Sequence, residues 1–183
     1  MPMPSGVPVL RGGGVRLRPF ADGDVPFVVA ASHDSLIPLI TSVRRSSSTE
    51  DAVDYIHRQH ARLAAGVGYS FAAAAADTDV AVGQISLWTR DIARGRVSTG
   101  YWIAEAHRGR GFARAALATL SDWAFTFPEV ARLELHVEPE NAASWRTAES
   151  CGFDREGLLR CWQRVGSEDR DMFVYSRVAP RET

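Results

Sequence analysis

His107-Arg108-Gly109-Arg110-Gly111-Phe112-Ala113-Arg114 is the stretch on which the reading of this chain turns. It stands between an apolar run, Arg96 to Ala104, and the most regular helical pattern in the sequence. That pattern places Ala113, Ala116, Leu117, Leu120, Trp123, Ala124 and Phe127 on one face until Pro128 supplies a stop. Two glycines free the backbone for a tight turn, so successive N–H groups can point at one anion while the following helix adds its N-terminal dipole. Three arginines and a histidine, with no acid among the eight residues, favour a polyphosphate over a turn with merely solvated side chains. A dinucleotide-binding βαβ turn fits less well, because Arg114 occupies the third-glycine position, where close helix packing demands a small residue.

The segments on either side predict one mixed α/β domain. Val15-Arg16-Leu17-Arg18 alternates like a short strand with one buried face, and a short helix follows over Val25 to Ala31. Ser32 to Ser48 is a long Ser-rich connection without a readable form. Ser48-Thr49-Glu50-Asp51 resembles a capping box, and Val53, Ile56, His60 and Leu63 then recur at helical spacing. Ser70 to Ala76, Val80 to Thr89 and Arg96 to Ala104 read as an antiparallel meander, although the alanine run at its start also suits a helix. After the central helix, Leu133, Leu135 and Val137 alternate with Glu134, His136 and Glu138. A short helix over Ala142 to Cys151 and a hairpin from Phe153 to Val178 complete the pattern.

Composition narrows the chemistry. The chain of 183 residues carries 21 basic and 22 acidic side chains, a net charge of −1, which removes the usual electrostatic ground for proposing nucleic-acid binding. Every basic residue is arginine, so a lysine Schiff base and the Walker A lysine are both excluded. Cys151 and Cys161 are too few for a disulfide scaffold and lack metal spacing, so no metal is expected. No stretch reaches the ~20 apolar residues that span a bilayer, so neither membrane insertion nor export is expected and a cytoplasmic location is. A flexible tail is expected over 1–14, the domain over 15–178, and a second tail over 179–183.

Arg108-x-x-Gly111-x-Ala113 matches the acyl-CoA pyrophosphate motif of the GCN5-related N-acetyltransferases (GNAT), which the chain resembles from Val15 to Val178. Val15 to Phe20 with Asp24 looks like the opening strand and helix of the ribosomal-protein (RimJ/RimL-like) branch. Gly100-Tyr101-Trp102-Ile103 resembles that family's splayed fourth strand, and Asn141-x-x-Ser144 with Cys151-Gly152-Phe153 resembles its later helix and strand entry. The resemblance implies a single-domain GNAT fold: a mixed, mostly antiparallel sheet of about seven strands, flanked by about four helices, with a splayed central strand pair. It implies transfer of an acetyl group from acetyl-CoA, or another acyl-CoA, to a primary amine of a protein N-terminus or small molecule, and homodimers among its assemblies.

Such a reaction sets three tasks: holding the donor, meeting a developing oxyanion, and assisting a departing thiolate. The resemblance gives the first to the backbone of Arg108, Gly109, Arg110, Gly111, Phe112 and Ala113, with the Arg108, Arg110 and Arg114 side chains as salt partners. It gives the second to backbone N–H near Ile103, beside Trp102. For the third, many members use a tyrosine on the helix after the asparagine; that position here is Ala148, and Ser144 stands where the ribosomal-protein branch places a serine. Ser144 equally suits a helix cap, and Asn141 either a cap or a contact to the pantetheine arm, or both. Glu105, Glu134, His136 and Glu138 are candidates for the general base, Glu105 and His136 ranking first. The missing tyrosine leaves an alternative open, a non-catalytic CoA-binding sensor or interaction module on the same fold.

Overall fold

In the computed structural model, which describes residues 2–46 and 48–179, the sheet starts earlier than the sequence pattern predicts. Leu10–Gly12 forms β1 and pairs antiparallel with β2, Val15–Arg18, across a turn in which Gly13 and Gly14 both take positive φ. Met3, Val7 and Leu10 pack against the core, and the Tyr69 hydroxyl donates to the Pro4 carbonyl at 2.5 Å. The expectation of a loose tail to Gly14 is thereby corrected: these residues bury apolar surface, and β1 satisfies amides that β2 would otherwise expose at an edge. At the other end Ala179 still donates its N–H to Ala131 O, and residues 180–183 of the expected second tail lie outside the described residues.

Beyond β2, the elements are α1 (Val25–Ala31), α2 (Ile37–Ile40), α3 (Thr49–Ala64), β3 (Gly68–Ala75), β4 (Ala81–Trp88), β5 (Arg96–Ile103), α4 (Phe112–Ala124), β6 (Arg132–Val137), α5 (Ala142–Ser150), β7 (Asp154–Val165) and β8 (Glu168–Val178). One sheet runs in the order β1-β2-β3-β4-β5-β6-β8-β7, and only β5 and β6 pair in parallel. The architecture is the expected mixed, mostly antiparallel one. Its eighth strand is β1, and its fifth helix is α2, a single turn inside the Ser-rich connection. No helix among the described residues is long and apolar enough to cross a membrane.

Helices cover both faces of the sheet. Leu117, Leu120 and Ala124 of α4 pack with Val15, Leu17, Phe71, Leu133 and Leu135 on one face. Val28 of α1, Ile37 of α2 and Tyr55 of α3 pack with Phe20, Ala72 and Trp102 on the other. This two-sided cover explains the alanine run. β3 is buried along its whole length, and small side chains let helices approach a central strand from both sides, overriding alanine's weak strand preference. It also corrects the reading of β2 as half-buried. Arg18 is 9% exposed, gripping Asp24 through two hydrogen bonds of 2.7 and 2.9 Å and Asp79 through its Nε at 3.0 Å.

Ser48 caps α3 as predicted, its hydroxyl accepting from Asp51 N at 3.3 Å. The buried face, however, is Ala52, Tyr55, Ile56 and Gln59, while His60 stays exposed. The shift follows from a polar network that hydrophobic periodicity cannot register. Gln84 of β4 accepts through Oε1 from the Tyr55 hydroxyl and from Trp102 Nε1 at 2.7 Å. Its Nε2 lies 3.0 Å from Gln59 Oε1 and 2.9 Å from Ser70 Oγ, all of these side chains being buried. One amide therefore ties α3 to β3, β4 and β5 and fixes the Trp102 indole, which also stacks on Phe27 with centroids 5.3 Å apart.

Replacing Gln84 by Leu removes the acceptor of two buried donors. The expected cost is about 3 kcal/mol, a fall in Tm of roughly 6–12 °C for a chain of this size. A calorimetric Tm unchanged within experimental error would show that the network contributes little.

Candidate active site

The site originates where two strands part. β5 and β6 hold parallel register only from Arg96/Arg132 to Thr99/Leu135, whereas β5 stays paired with β4 as far as Ile103/Gly83. Ala104 N donates to Val82 O, and hydrogen-bonded pairs alternate along an antiparallel ladder. The amides of Trp102 and Gly100 therefore point to β4, and those of Tyr101 and Ile103 point into the gap that β6 has left.

Two clefts meet at this gap. A cleft of about 610 Å³ is bounded by Gly109, Gly111, Phe112, Ala113 and Arg114 of the glycine turn, by Ala143 and Thr147 of α5 and by Leu36 and Ile37. A second, of about 350 Å³, lies on the α3 face of the sheet between Arg62, Ser86, Trp88, Ser98, Gln163 and Met172. Ile40, Tyr101, Trp102, Glu138, Asn141 and Ser144 line both.

The glycine turn has the form expected of an anion cradle. Gly109 and Gly111 take φ of 72° and 81°, a region that costs other residues about 1–2 kcal/mol, and a Cβ on either would meet open space. Gly111 is also the N-cap of α4. No side chain caps that helix and its first turn holds no acid, so its leading N–H groups and dipole are left for a ligand in the first cleft. Two arginines of the turn serve differently from expectation. Arg108 turns inward, its Nε donating to Ile103 O at 3.0 Å and its NH2 to Asp34 at 2.5 Å, so its charge is already paired beside the cleft. Arg110 is the one residue from His107 to Arg114 that does not line the cleft. It lies over the Phe112 ring, 5.2 Å from the centroid, with NH1 3.3 Å from His107 Nδ1, a cation–π seat that holds it away. Arg114 is exposed and lines the cleft.

Asp34 belongs to the connection that sequence left unread. Its side chain is buried and accepts from the amides of Leu36 and Ile37 at 2.8 and 3.1 Å, building the turn that becomes α2. Burial works to raise its pKa, but the two amides and the Arg108 guanidinium prevail and hold it below the ordinary carboxylate range.

Asn141 is the N-cap of α5, its Oδ1 accepting from Ser144 N at 3.1 Å. The capping alternative for Ser144 thus falls to its neighbour, and the Ser144 hydroxyl lies 3.0 Å from the Tyr101 hydroxyl. Burial pushes the Tyr101 phenol up, against the hydrogen bonds from Ser144 and Thr147 that favour its ionised form, so it stays protonated at neutral pH. No sequence motif pointed to this hydroxyl pair, because the two residues lie on separate elements.

The candidate bases separate cleanly. Glu105 sits exposed in the single turn that follows β5 and lines neither cleft, which corrects its ranking: the strand ends one residue earlier and the turn carries it outward. Glu134 is engaged by Arg132 at 2.7 Å. His136 lines the second cleft, its ring 5.4 Å from that of Trp162, and Glu138 lines both. Burial lowers the pKa of His136 below its ordinary 6.5, with Glu134 opposing, so the imidazole is neutral at physiological pH. Cys151 packs behind the site with Sγ 3.5 Å from Arg114 O, and burial raises its thiol pKa, which leaves it a poor nucleophile.

A family model described as an acetyltransferase (GNAT) domain matches residues 15–154. An uncharacterized N-acetyltransferase of Bacillus licheniformis, p20, is 35% identical over 100 residues; the match spans 55% of this chain and only 56% of that relative's length. The uncharacterized N-acetyltransferase YoaA of Bacillus subtilis is 26% identical over 175 residues, covering 96% of this chain and 99% of its own. The structure of Mycobacterium smegmatis RimJ, in complex with a CoA-disulfide, superposes with a TM-score of 0.79 at 26% identity, covering 94% of this chain and 87% of that one. With the family model spanning the sheet, the glycine turn and the strand gap together, the chain belongs to the GNAT acetyltransferase family, in its RimJ/RimL-like branch.

Proposed function

We propose that this protein is an N-acyltransferase that uses acetyl-CoA and a primary amine in a ternary complex, within a domain that runs from Leu10 to Val178. The observation that carries the reading is the meeting of two clefts at unpaired strand amides, with an uncapped helix N-terminus at the far end of one of them. The residues present fit the donor. The α4 amides and the Gly109 and Gly111 backbone suit a diphosphate, and the open edge of β5 suits the amide groups of a pantetheine arm laid down as an added strand. When bound, acetyl-CoA supplies a thioester carbonyl and a thiolate leaving group.

The chain's own residues then divide the work. The Ile103 and Tyr101 amides are oriented donors for charge that develops on a carbonyl oxygen, and Arg108 keeps that strand end in place through Ile103 O. The Tyr101 and Ser144 hydroxyls form a donor pair for a departing sulfur, the phenol reaching from β5 the region that Ala148 cannot serve from α5. Neutral His136 and Glu138 stand on the acceptor side as proton acceptors for the attacking amine. Thiol release from acetyl-CoA with a panel of primary amines tests the reading; a sensor would gain thermal stability from acetyl-CoA yet release no thiol.

Three outcomes are expected. Gly111→Val should weaken acetyl-CoA binding severalfold by calorimetry, because a β-branched residue resists the positive φ that shapes the cradle. Ser144→Ala and Tyr101→Phe should each lower kcat by about 10- to 100-fold while changing acetyl-CoA affinity little, and the double variant should fall short of the product of the two if they act as a pair. In the pH profile of kcat/KM, an acid limb is expected below 6.5, since activity rises as His136 loses its proton, and His136→Asn should abolish it. A limb unchanged in that variant would transfer the role to Glu138.

A further inference from the structure

The second cleft holds a charge that the proposed function does not use. Arg62, in the last turn of α3, is half-buried and lines this cleft only, so it lies away from the junction where the two clefts meet. Its NH1 donates to Ser86 Oγ at 3.1 Å, and among the described residues it forms no ion pair. Two other arginines along the sheet differ: buried Arg18 is paired with Asp24 and Asp79, and half-buried Arg132 with Glu134 and Glu156. A desolvated guanidinium without a carboxylate is costly unless an anion arrives to pair with it.

The surroundings of Arg62 make its end of the cleft positive. Burial disfavours its charge first, and Arg58 and Arg90 lie close enough to add to that against the smaller opposing effect of Tyr55. The remaining ionisable groups facing this cleft are Tyr101, His136 and Glu138, and Tyr101 and Glu138 lie at the junction. The cleft is thus bipolar, with a carboxylate and a neutral imidazole where the amine must react and a guanidinium beyond them. Ser86 pairs with Gly100, three residues along β5 from Ile103, so roughly 10 Å of strand separates the two ends. The lining also offers Ser98 and Gln163 as neutral hydrogen-bonding groups.

We propose that the acceptor is a small amine that carries an oxyanion, a carboxylate, phosphonate or phosphate, and that Arg62 binds this group while the amine lies at the junction. The assignment rests on the transferase reading above. It places the specificity of the enzyme in a residue of α3 rather than in the catalytic gap.

The test uses the full chain, saturating acetyl-CoA and matched amines: an amino acid, its carboxamide, its phosphonate analogue, and a dipeptide amide with no free carboxylate. Thiol release should favour each anionic member over its neutral partner by at least ~30-fold in kcat/KM, with the difference in KM. In Arg62→Gln the ratio should fall toward one, and Arg62→Lys should restore part of it. A thermal shift with acetyl-CoA retained in both variants shows that they fold. Equal preference for the carboxamide or the dipeptide amide in the wild type overturns the oxyanion assignment and leaves the transferase reading standing. A loss of rate in Arg62→Gln that is the same for both members of a pair reduces Arg62 to a pin between α3 and β4. No thiol release with any amine overturns the transferase reading, and the assignment with it.

Discussion

The early end of the parallel ladder between β5 and β6 is the constraint on which this molecule's site depends. Backbone donors inside a protein need partners, and the sheet withholds them from Tyr101 and Ile103 by letting β6 diverge after Leu135. Such a gap would close unless each strand were held from its far side. β5 is anchored by its ladder to β4, by the Trp102 indole in the Gln84 network, and by Arg108 on the Ile103 carbonyl. β6 is anchored by its ladder to β8 and by Arg132, which ties Glu134 to Glu156 and Ser176. The unpaired amides are therefore a built feature, held open by groups that brace each strand.

Under the proposed function, the same gap also lets this chain do without its family's usual acid. A tyrosine on α5 would reach the sulfur from one wall of the cleft; here that position is Ala148, fully buried against the core. The Tyr101 hydroxyl, carried by β5, ends 3.0 Å from that of Ser144, so a phenol is supplied from another element. Under the proposed function Tyr101 takes the place of that acid, which answers the main argument for a non-catalytic reading of the chain.

How much of this was legible in the sequence depended on the range of the interaction. Local patterns carried α4, the meander and the glycine turn, because periodicity, capping and positive φ are properties of neighbouring residues. They also carried the parting of β5 and β6, through the likeness of Gly100 to Ile103 to a known motif. What escaped was tertiary. β1 has no alternation long enough to see and exists because β2 needs a partner. Arg18 reads as exposed until Asp24 and Asp79 fold over it. Gln84, Tyr101 and Arg62 look ordinary in sequence, since a buried amide, a strand tyrosine and a helix-end arginine acquire their roles only from residues far along the chain. Glu105 was overrated for the converse reason: adjacency to Ile103 in sequence is not adjacency to the cleft once the strand turns.

The connection from Ser32 to Ser48 shows the same principle at the level of function. It lacks a motif, yet Ile37 lines the first cleft, Thr41 and Ser42 the second, and Ile40 both. Its fixed point is Asp34, buried, bonded to two amides of its own turn and joined to Arg108. Arg108 in turn belongs to the glycine turn and holds the end of β5. One guanidinium thus couples the glycine turn, the end of β5 and the connection that lines both clefts. In water such a pair would contribute little; here the carboxylate is buried and geometrically fixed, so breaking it leaves a desolvated charge. The first arginine of the motif is therefore engaged with Asp34 and Ile103, and under the proposed function the anion is left to the backbone that follows it.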